Sequence, residues 1–277
     1  MKYLSTLALA GTLLTTAPQA ATAQQAPSPY RTRFVVDFPI TVAFGAGAAT
    51  GLYLIQQKNG LSPAEQAALD KNDIPKFDRW VAGKYSDNAQ LASDILCYPT
   101  LVIAPGLLAL NDNVRGRYGQ VLGMYVQALA FSDAAFTLSA GNVYRYRPYL
   151  YGTEGPANKR GSRIATNSFF AGHTAHTATA TFFAAKVFHD FNPDSRAQPY
   201  VWTAAAIIPA AVAYNRMEAG KHFLSDNLLG YAVGAASGIL VPQLHKTAGR
   251  NGMSVTPLQG LNVNGFSYSG VRLTKQL

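Results

Sequence analysis

Long apolar runs separated by polar stretches dominate the chain. Six of them, at about 34–55, 91–110, 119–141, 172–189, 200–214 and 226–243, are rich in Ala, Leu, Gly and Thr, lack the alternation of strands and are long enough for helices. The pattern predicts an all-α body of six helices. Between the first and second runs, Gln56 to Gln90 is polar, and Ser62-Pro63-Ala64-Glu65 is a helix start with proline at its first position, so one or two short surface helices are expected there. Gly230, Gly234 and Gly238 recur every four residues and leave one face of the sixth helix bare for a close neighbour, in a membrane or in a soluble bundle. Pro99 and Pro105 predict a bent second helix. After Thr247 the character changes: Asn264-Gly265 is a two-residue turn signal, and Phe266, Tyr268, Val271 and Leu273 fit a strand, which predicts a short C-terminal hairpin.

Composition sharpens this picture. The 277 residues suffice for one sizeable domain or two small ones, and only 13% are charged, about half the usual ~25%. Most of the chain therefore faces protein or lipid. The net charge of +9 points to an anionic partner: phosphate esters, an acidic lipid surface or nucleic acid. Nucleic acid fits worst, because Lys and Arg are scattered without interleaved aromatics and are densest between Arg145 and Arg163. The single Cys97 excludes an intrachain disulfide and zinc sites built on two or more cysteines. At the N-terminus, Lys2, the apolar stretch Leu4 to Leu14 and Ala21-Thr22-Ala23 before Gln24 form an export signal. The expected organisation is a signal peptide over 1–23, a polar linker over 24–33, a helical domain over 34–246 and a tail over 247–277.

Three stretches concentrate His, Arg and Asp at helix ends, where charge is otherwise scarce. They are Tyr144-Arg145-Tyr146-Arg147-Pro148, Asn167 to Thr174 with Gly172-His173, and Asn215-Arg216 followed by His222 and Asp226. With Ser225 as the cap of helix six, His222 and Asp226 lie about one turn apart. The carboxylate is then expected to accept a hydrogen bond from one imidazole nitrogen and leave the other free as a nucleophile. Gly172 and His173 open helix four, so their backbone N–H groups face an anion at the positive end of the helix dipole. With Arg147 and Arg216, the predicted site is an anion cradle with two histidines.

This constellation resembles the type 2 phosphatidic acid phosphatase and vanadium haloperoxidase superfamily, whose signature is Lys-x6-Arg-Pro, Pro-Ser-Gly-His and Ser-Arg-x5-His-x3-Asp. Arg147-Pro148 matches the end of the first motif, Gly172-His173 the second, and Arg216-x5-His222-x3-Asp226 the third, in order and at the expected helix ends. The resemblance covers roughly residues 34 to 246. It implies a six-helix bundle of that type in which His222 attacks phosphorus and Asp226 orients it. His173 protonates the leaving oxygen and later activates water, while Arg147, Arg216 and the Gly172 amide hold the non-bridging oxygens, with no metal and no cofactor. The same cradle holds vanadate, as an inhibitor of a phosphatase or as the cofactor of a haloperoxidase.

Three positions depart from the signature: Ala140 stands where the first motif has lysine, Phe170-Ala171 where the second has Pro-Ser, and Asn215 where the third has serine. Arg145, Lys159, Arg160 and Lys221 are the candidates to replace the lysine. A weakened site leaves open a non-catalytic envelope protein kept for binding or structure. His173-x-x-His176 is a weak metal signal with no third ligand nearby, and Asp37, Asp94 and Asp133 inside apolar segments read as polar links between helices. If the exported N-terminus lies outside and all six helices span, the catalytic loops face the cytoplasm. That conflict, and the short fifth run, favour a non-spanning or membrane-associated bundle on the periplasmic side of the envelope. The expected substrate is a lipid-linked phosphate, such as phosphatidic acid or an isoprenyl pyrophosphate, rather than a soluble ester. Phe169, Phe170, Phe223 and the tyrosines from Tyr144 to Tyr151 are expected to line an apolar entrance.

Overall fold

The computed structural model describes residues 28–155, 157–247, 253–261 and 266–275. Six long helices form the body: α1 (Phe34–Gln57), α2 (Asp87–Ala109), α3 (Tyr118–Asn142), α4 (Gly172–Phe191), α5 (Gln198–Glu218) and α6 (Leu224–His245). Each coincides with one apolar run and extends it by a few residues into polar sequence. Three shorter α-helices, Pro63–Ala67, Asp112–Arg115 and Ala157–Arg160, lie in the connections. The first of them starts as its sequence dictates: Ser62 Oγ accepts from the Glu65 N–H at 3.3 Å, and Glu65 Oε2 accepts from the Ser62 N–H at 2.7 Å.

The central helix is α4, which packs against α2, α3, α5 and α6. Its Thr177, Thr179 and Thr181 hydroxyls donate to carbonyls one turn earlier, so a polar sequence is buried without orphaned hydroxyls. The bare face of α6 meets α4. A Cβ on Gly230, Gly234 or Gly238 would fall within 3.0 Å of the Ala171 carbonyl, the Ala175 carbonyl, or the Thr179 carbonyl and Phe183 amide. The apolar core beside α4 gathers Met124 and Tyr125 of α3, Phe183 and Val187. Pro99 and Pro105 both lie inside α2.

The linker is less free than its polarity predicts. Tyr30 is buried, donates its hydroxyl to Asp190 at 2.8 Å and meets Phe191 edge to face, while the Arg31 N–H bonds the His245 carbonyl at 2.8 Å. The ring thus docks residues 28–33 on the end of α4, and the backbone bond ties them to the end of α6. In the tail, β1 (Met253–Leu261) pairs antiparallel with β2 (Ser267–Lys275), from Met253 opposite Lys275 to Leu261 opposite Ser267. The Asn264-Gly265 turn and the export signal of residues 1–23 lie outside the described residues.

Four of the described helices, α1, α2, α3 and α6, are long and apolar enough to cross a membrane. The sequence reading counted six apolar helices; α4 and α5 fall below this measure.

Candidate active site

The three motifs converge at one end of the bundle. Arg147 follows α3, His173 is the second residue of α4, Arg216 is in the last turn of α5, and Lys221 and His222 fill the turn before α6. A pocket of about 270 Å³ is lined by Gln90, Asp94 and Tyr98 of α2 and by Arg147, Lys159, His173, Arg216 and Lys221, with Tyr149, Ser162 and Ile164 at its sides. Four cations face one carboxylate there. Three buried polar atoms of these residues have no partner, Gln90 Oε1, Arg147 Nε and Arg216 Nε, while Asp94 Oδ1 and His173 Nε2 face each other at 3.0 Å. Among the described residues only five buried polar atoms lack both a hydrogen bond and an ion-pair contact, so the orphans are concentrated in this pocket. Each unmet buried group costs ~1–3 kcal/mol, and the donors among them call for an anion with several acceptors.

The turn that delivers the third motif has a local cause. Gly220 has φ +65°, and a Cβ on it would collide with the Lys84 carbonyl. Its N–H bonds the Met217 carbonyl at 2.9 Å, and the Lys221 N–H bonds the Arg216 carbonyl at 3.0 Å. This is a Schellman ending of α5, and it ties Arg216 and Lys221 together through the backbone. The Arg216 guanidinium is steadied by Ser93 Oγ at 3.3 Å and by Asp94 at 3.5 Å.

His222 is buried, and its Nδ1 lies 2.6 Å from the Ser168 carbonyl oxygen. A carbonyl can only accept, so Nδ1 carries the proton and Nε2 keeps its lone pair. Burial first, then the charges of Arg147 and Arg216, hold the imidazole well below 6.5. Asp226 is not the partner that the spacing predicted. Its carboxylate pairs with Arg145 and accepts from Ser168 Oγ at 2.6 Å and from the Phe223 N–H at 2.9 Å. Helix α6 begins at Leu224, two residues earlier than expected, which makes Asp226 an N-terminal capping carboxylate. Ser225 is not the cap: its N–H and hydroxyl donate to Asp78 at 2.9 and 2.6 Å.

The candidate lysine substitutes now separate. Arg145 leaves the pocket, pairs with Asp78 at 2.7 Å as well as with Asp226, and stacks on Phe223. Arg160 donates to the carbonyls of Leu150 and Gly152 at 2.8 and 2.6 Å. Lys159 and Lys221 remain in the pocket. The Lys221 ammonium lies over the Tyr149 and Tyr85 rings, and burial with Arg147 and Arg216 nearby lowers it to about 8. Arg147 is pushed down from its ordinary value by the same burial. Gly172, at the first position of α4, is packed against Phe136 and does not line the pocket.

The aromatic entrance is corrected as well. Phe170 and Phe223 are each 2% exposed and pack against Phe136 and Tyr151; Phe169 meets Phe170 edge to face. Of the expected residues only Tyr149 lines the pocket. Its outer rim is Tyr98 and Ile164, 58% and 56% exposed, beside the exposed apolar face of α2 with Leu91 and Ile95.

Sequence reasoning singled out Asp94 only as a helix link, yet its Oδ1 lies 3.0 Å from His173 Nε2. Asp133 and Asp37 face His176 and His245 in the same manner, at 3.2 and 3.1 Å. Asp78 and Ser168 gave no signal at all. Both act through contacts across long stretches of chain.

Comparison with known proteins agrees with the motifs. A family model, the PAP2 superfamily, matches residues 122–250, a span that contains all three motifs. Among solved structures the chain is similar to a transmembrane PAP2-type phosphatidylglycerolphosphate phosphatase from Bacillus subtilis, at 16% identity over 75% of this chain and 91% of that one, with a TM-score of 0.35. No curated protein matches.

Proposed function

We propose that this chain is a phosphatase working without a metal, through a phosphohistidine on His222, on a phosphate ester of a lipid. The observation that carries the reading is the pair of unpartnered buried Nε–H donors of Arg147 and Arg216 around one pocket that also holds Lys159, His173 and Lys221. Non-bridging phosphate oxygens satisfy these donors, and phosphoryl transfer asks of a protein mainly alignment and neutralised oxygen charge. His222 Nε2 attacks phosphorus and the ester P–O bond breaks. His173 gives its Nε2 proton to the leaving oxygen. Water then attacks the phosphohistidine, His173 takes a proton from it, and inorganic phosphate leaves with His222 neutral again. The Ser168 carbonyl accepts from Nδ1 throughout and steadies the positive charge on the phosphorylated ring. Asp94 positions His173.

Lipid is favoured over a soluble ester because the rim of Tyr98 and Ile164 adjoins an exposed apolar helix face on α2, which can receive acyl chains at the edge of a bilayer. The test is phosphate release by the purified full chain in detergent. Activity is expected to survive EDTA, to be lost in His222→Ala, and to favour a short-chain phosphatidate over p-nitrophenyl phosphate in kcat/KM. Loss with chelator and recovery with zinc or magnesium overturns the mechanism; equal specificity constants, unchanged by micelles, overturn the lipid substrate. A parent inactive on every ester that gains turnover on Ala171→Ser would instead be a binding protein.

A further inference from the structure

At the end of the bundle opposite the catalytic pocket, α1, α3 and α6 enclose a groove of about 720 Å³. Val36, Ile40 and Phe44 recur on α1 every four residues along it, facing Leu240 and Leu244 of α6, and Phe44 meets Phe131 of α3 edge to face at 5.2 Å. The strip is open: Ile40 is 41% and Leu240 53% exposed. Its charged groups gather at one end, where Arg31, Arg33, His245 and Lys246 line it, while Gln127 and Ser237 line it further along. Two of these are neutralised, Lys246 by Asp190 at 2.6 Å and His245 by Asp37 at 3.1 Å. The other oxygen of Asp37 accepts the Arg33 backbone N–H at 2.5 Å. The guanidinium groups of Arg31 and Arg33 have no ion pair among the described residues.

A ligand that fits is anionic at one end and apolar for the rest. Val36 to Phe44 spans about 12 Å of helix rise, close to half the ~30 Å hydrocarbon thickness of a bilayer, and α1 is one of the helices long and apolar enough to cross one. A peptide fits worse, because its backbone needs polar partners along its whole length and the wall of Val36, Ile40, Phe44, Leu240 and Leu244 offers none. We propose that this groove binds one anionic glycerophospholipid, its phosphodiester between Arg31 and Arg33 and one acyl chain along Ile40, Phe44 and Leu240. The site is separate from the phosphatase pocket and does not depend on that reading.

Native mass spectrometry of the detergent-solubilised full chain, titrated with phosphatidylglycerol or with phosphatidylcholine of the same chains, tests this. One retained phosphatidylglycerol per chain is expected, with phosphatidylcholine at least about tenfold weaker. Arg31→Ala with Arg33→Ala should weaken phosphatidylglycerol roughly thirtyfold, about fivefold per arginine. Ile40→Trp, which fills the groove without touching charge, should weaken both lipids. Arg147→Ala should leave retention unchanged, and the unfolding temperature of each variant in detergent alone shows that the fold is kept. Equal retention of the two headgroups by the parent, or phosphatidylglycerol retention insensitive to both groove changes, overturns the proposal. Loss in Arg147→Ala alone places the lipid in the catalytic pocket, which also overturns it and leaves the phosphatase reading intact.

Discussion

His222 and Asp226 are joined through Ser168: the imidazole Nδ1 lies 2.6 Å from the Ser168 carbonyl, and the carboxylate accepts the Ser168 hydroxyl at 2.6 Å. The four-residue spacing places the acid near the nucleophile, but a backbone carbonyl holds the ring. Asp226 also neutralises Arg145 and caps α6. Its replacement should therefore act on folding before chemistry. Asp226→Asn is expected to lose ~3–5 kcal/mol of stability, the magnitude for a broken buried pair, while kcat of the folded protein falls less than about tenfold. A large kcat loss at unchanged unfolding temperature would assign Asp226 to direct orientation of the histidine.

In the proposed mechanism Lys221, one of two lysines lining the pocket, supplies the cation that Ala140 lacks. Removing a charge-assisted bond worth ~1.5–3 kcal/mol should make Lys221→Ala about 10- to 150-fold poorer in kcat/KM, with Lys221→Arg recovering most of the loss. Steady-state kinetics on the two variants decides it; an unaffected Lys221→Ala would leave the role to Lys159.

Besides the proton that His173 must carry, on a ring whose pKa is held down to about 3 by burial and by the charge of Arg216, two opposite requirements shape the pH profile. His222 attacks only when neutral, and its imidazole is held well below 6.5, so kcat/KM should persist as pH falls through 6.5 and collapse only at clearly lower pH. Lys221 binds only when charged and lies at about 8, so kcat/KM should decline as pH rises through about 8. In Lys221→Arg that upper limb should move to higher pH, since guanidinium stays protonated. A limb that does not move belongs to another group.

Lys58 tests whether buried cations near the site are interchangeable. Its ammonium donates to the carbonyls of Ala140, Val143 and Thr166 at 2.9, 2.8 and 3.1 Å and lies over the Tyr144 ring. It serves the C-terminal end of α3 and is absent from the pocket. Lys58→Met should lower the unfolding temperature and leave KM and kcat of the folded protein near the parent values.

Much of this was legible in sequence because its causes are local. Apolar runs give the six helices directly, since a buried or lipid-facing helix has no polar face to hide them. Arg147, His173 and Arg216 meet in one pocket because each sits beside a helix end. Arg145 misled because it stands two residues from Arg147, and only the fold reveals Asp78, 67 residues earlier, as its partner. Ser168 acts through its backbone carbonyl as well as its hydroxyl, and a backbone contact carries no residue signature. Asp94 read as a helix link because its partners, His173 and Arg216, lie on two other helices.

The glycine stripe of α6 has a consequence for how such a site can diversify. With Gly230, Gly234 and Gly238 laid on the backbone of α4, the Ala171 N–H reaches the Asp226 carbonyl at 3.1 Å, and no side chain separates the starts of the two helices. The closest approach between the second and third motifs is main chain on main chain, locked beside it by the buried Thr174 hydroxyl donating to Asn227 Oδ1 at 2.7 Å, so mutation of the outer side chains does little to widen it. New substrates must then be accommodated where side chains still form the wall, along α2 and in the segment around Ile164, so that α4 and α6 behave as a fixed gauge and specificity drifts on the opposite side.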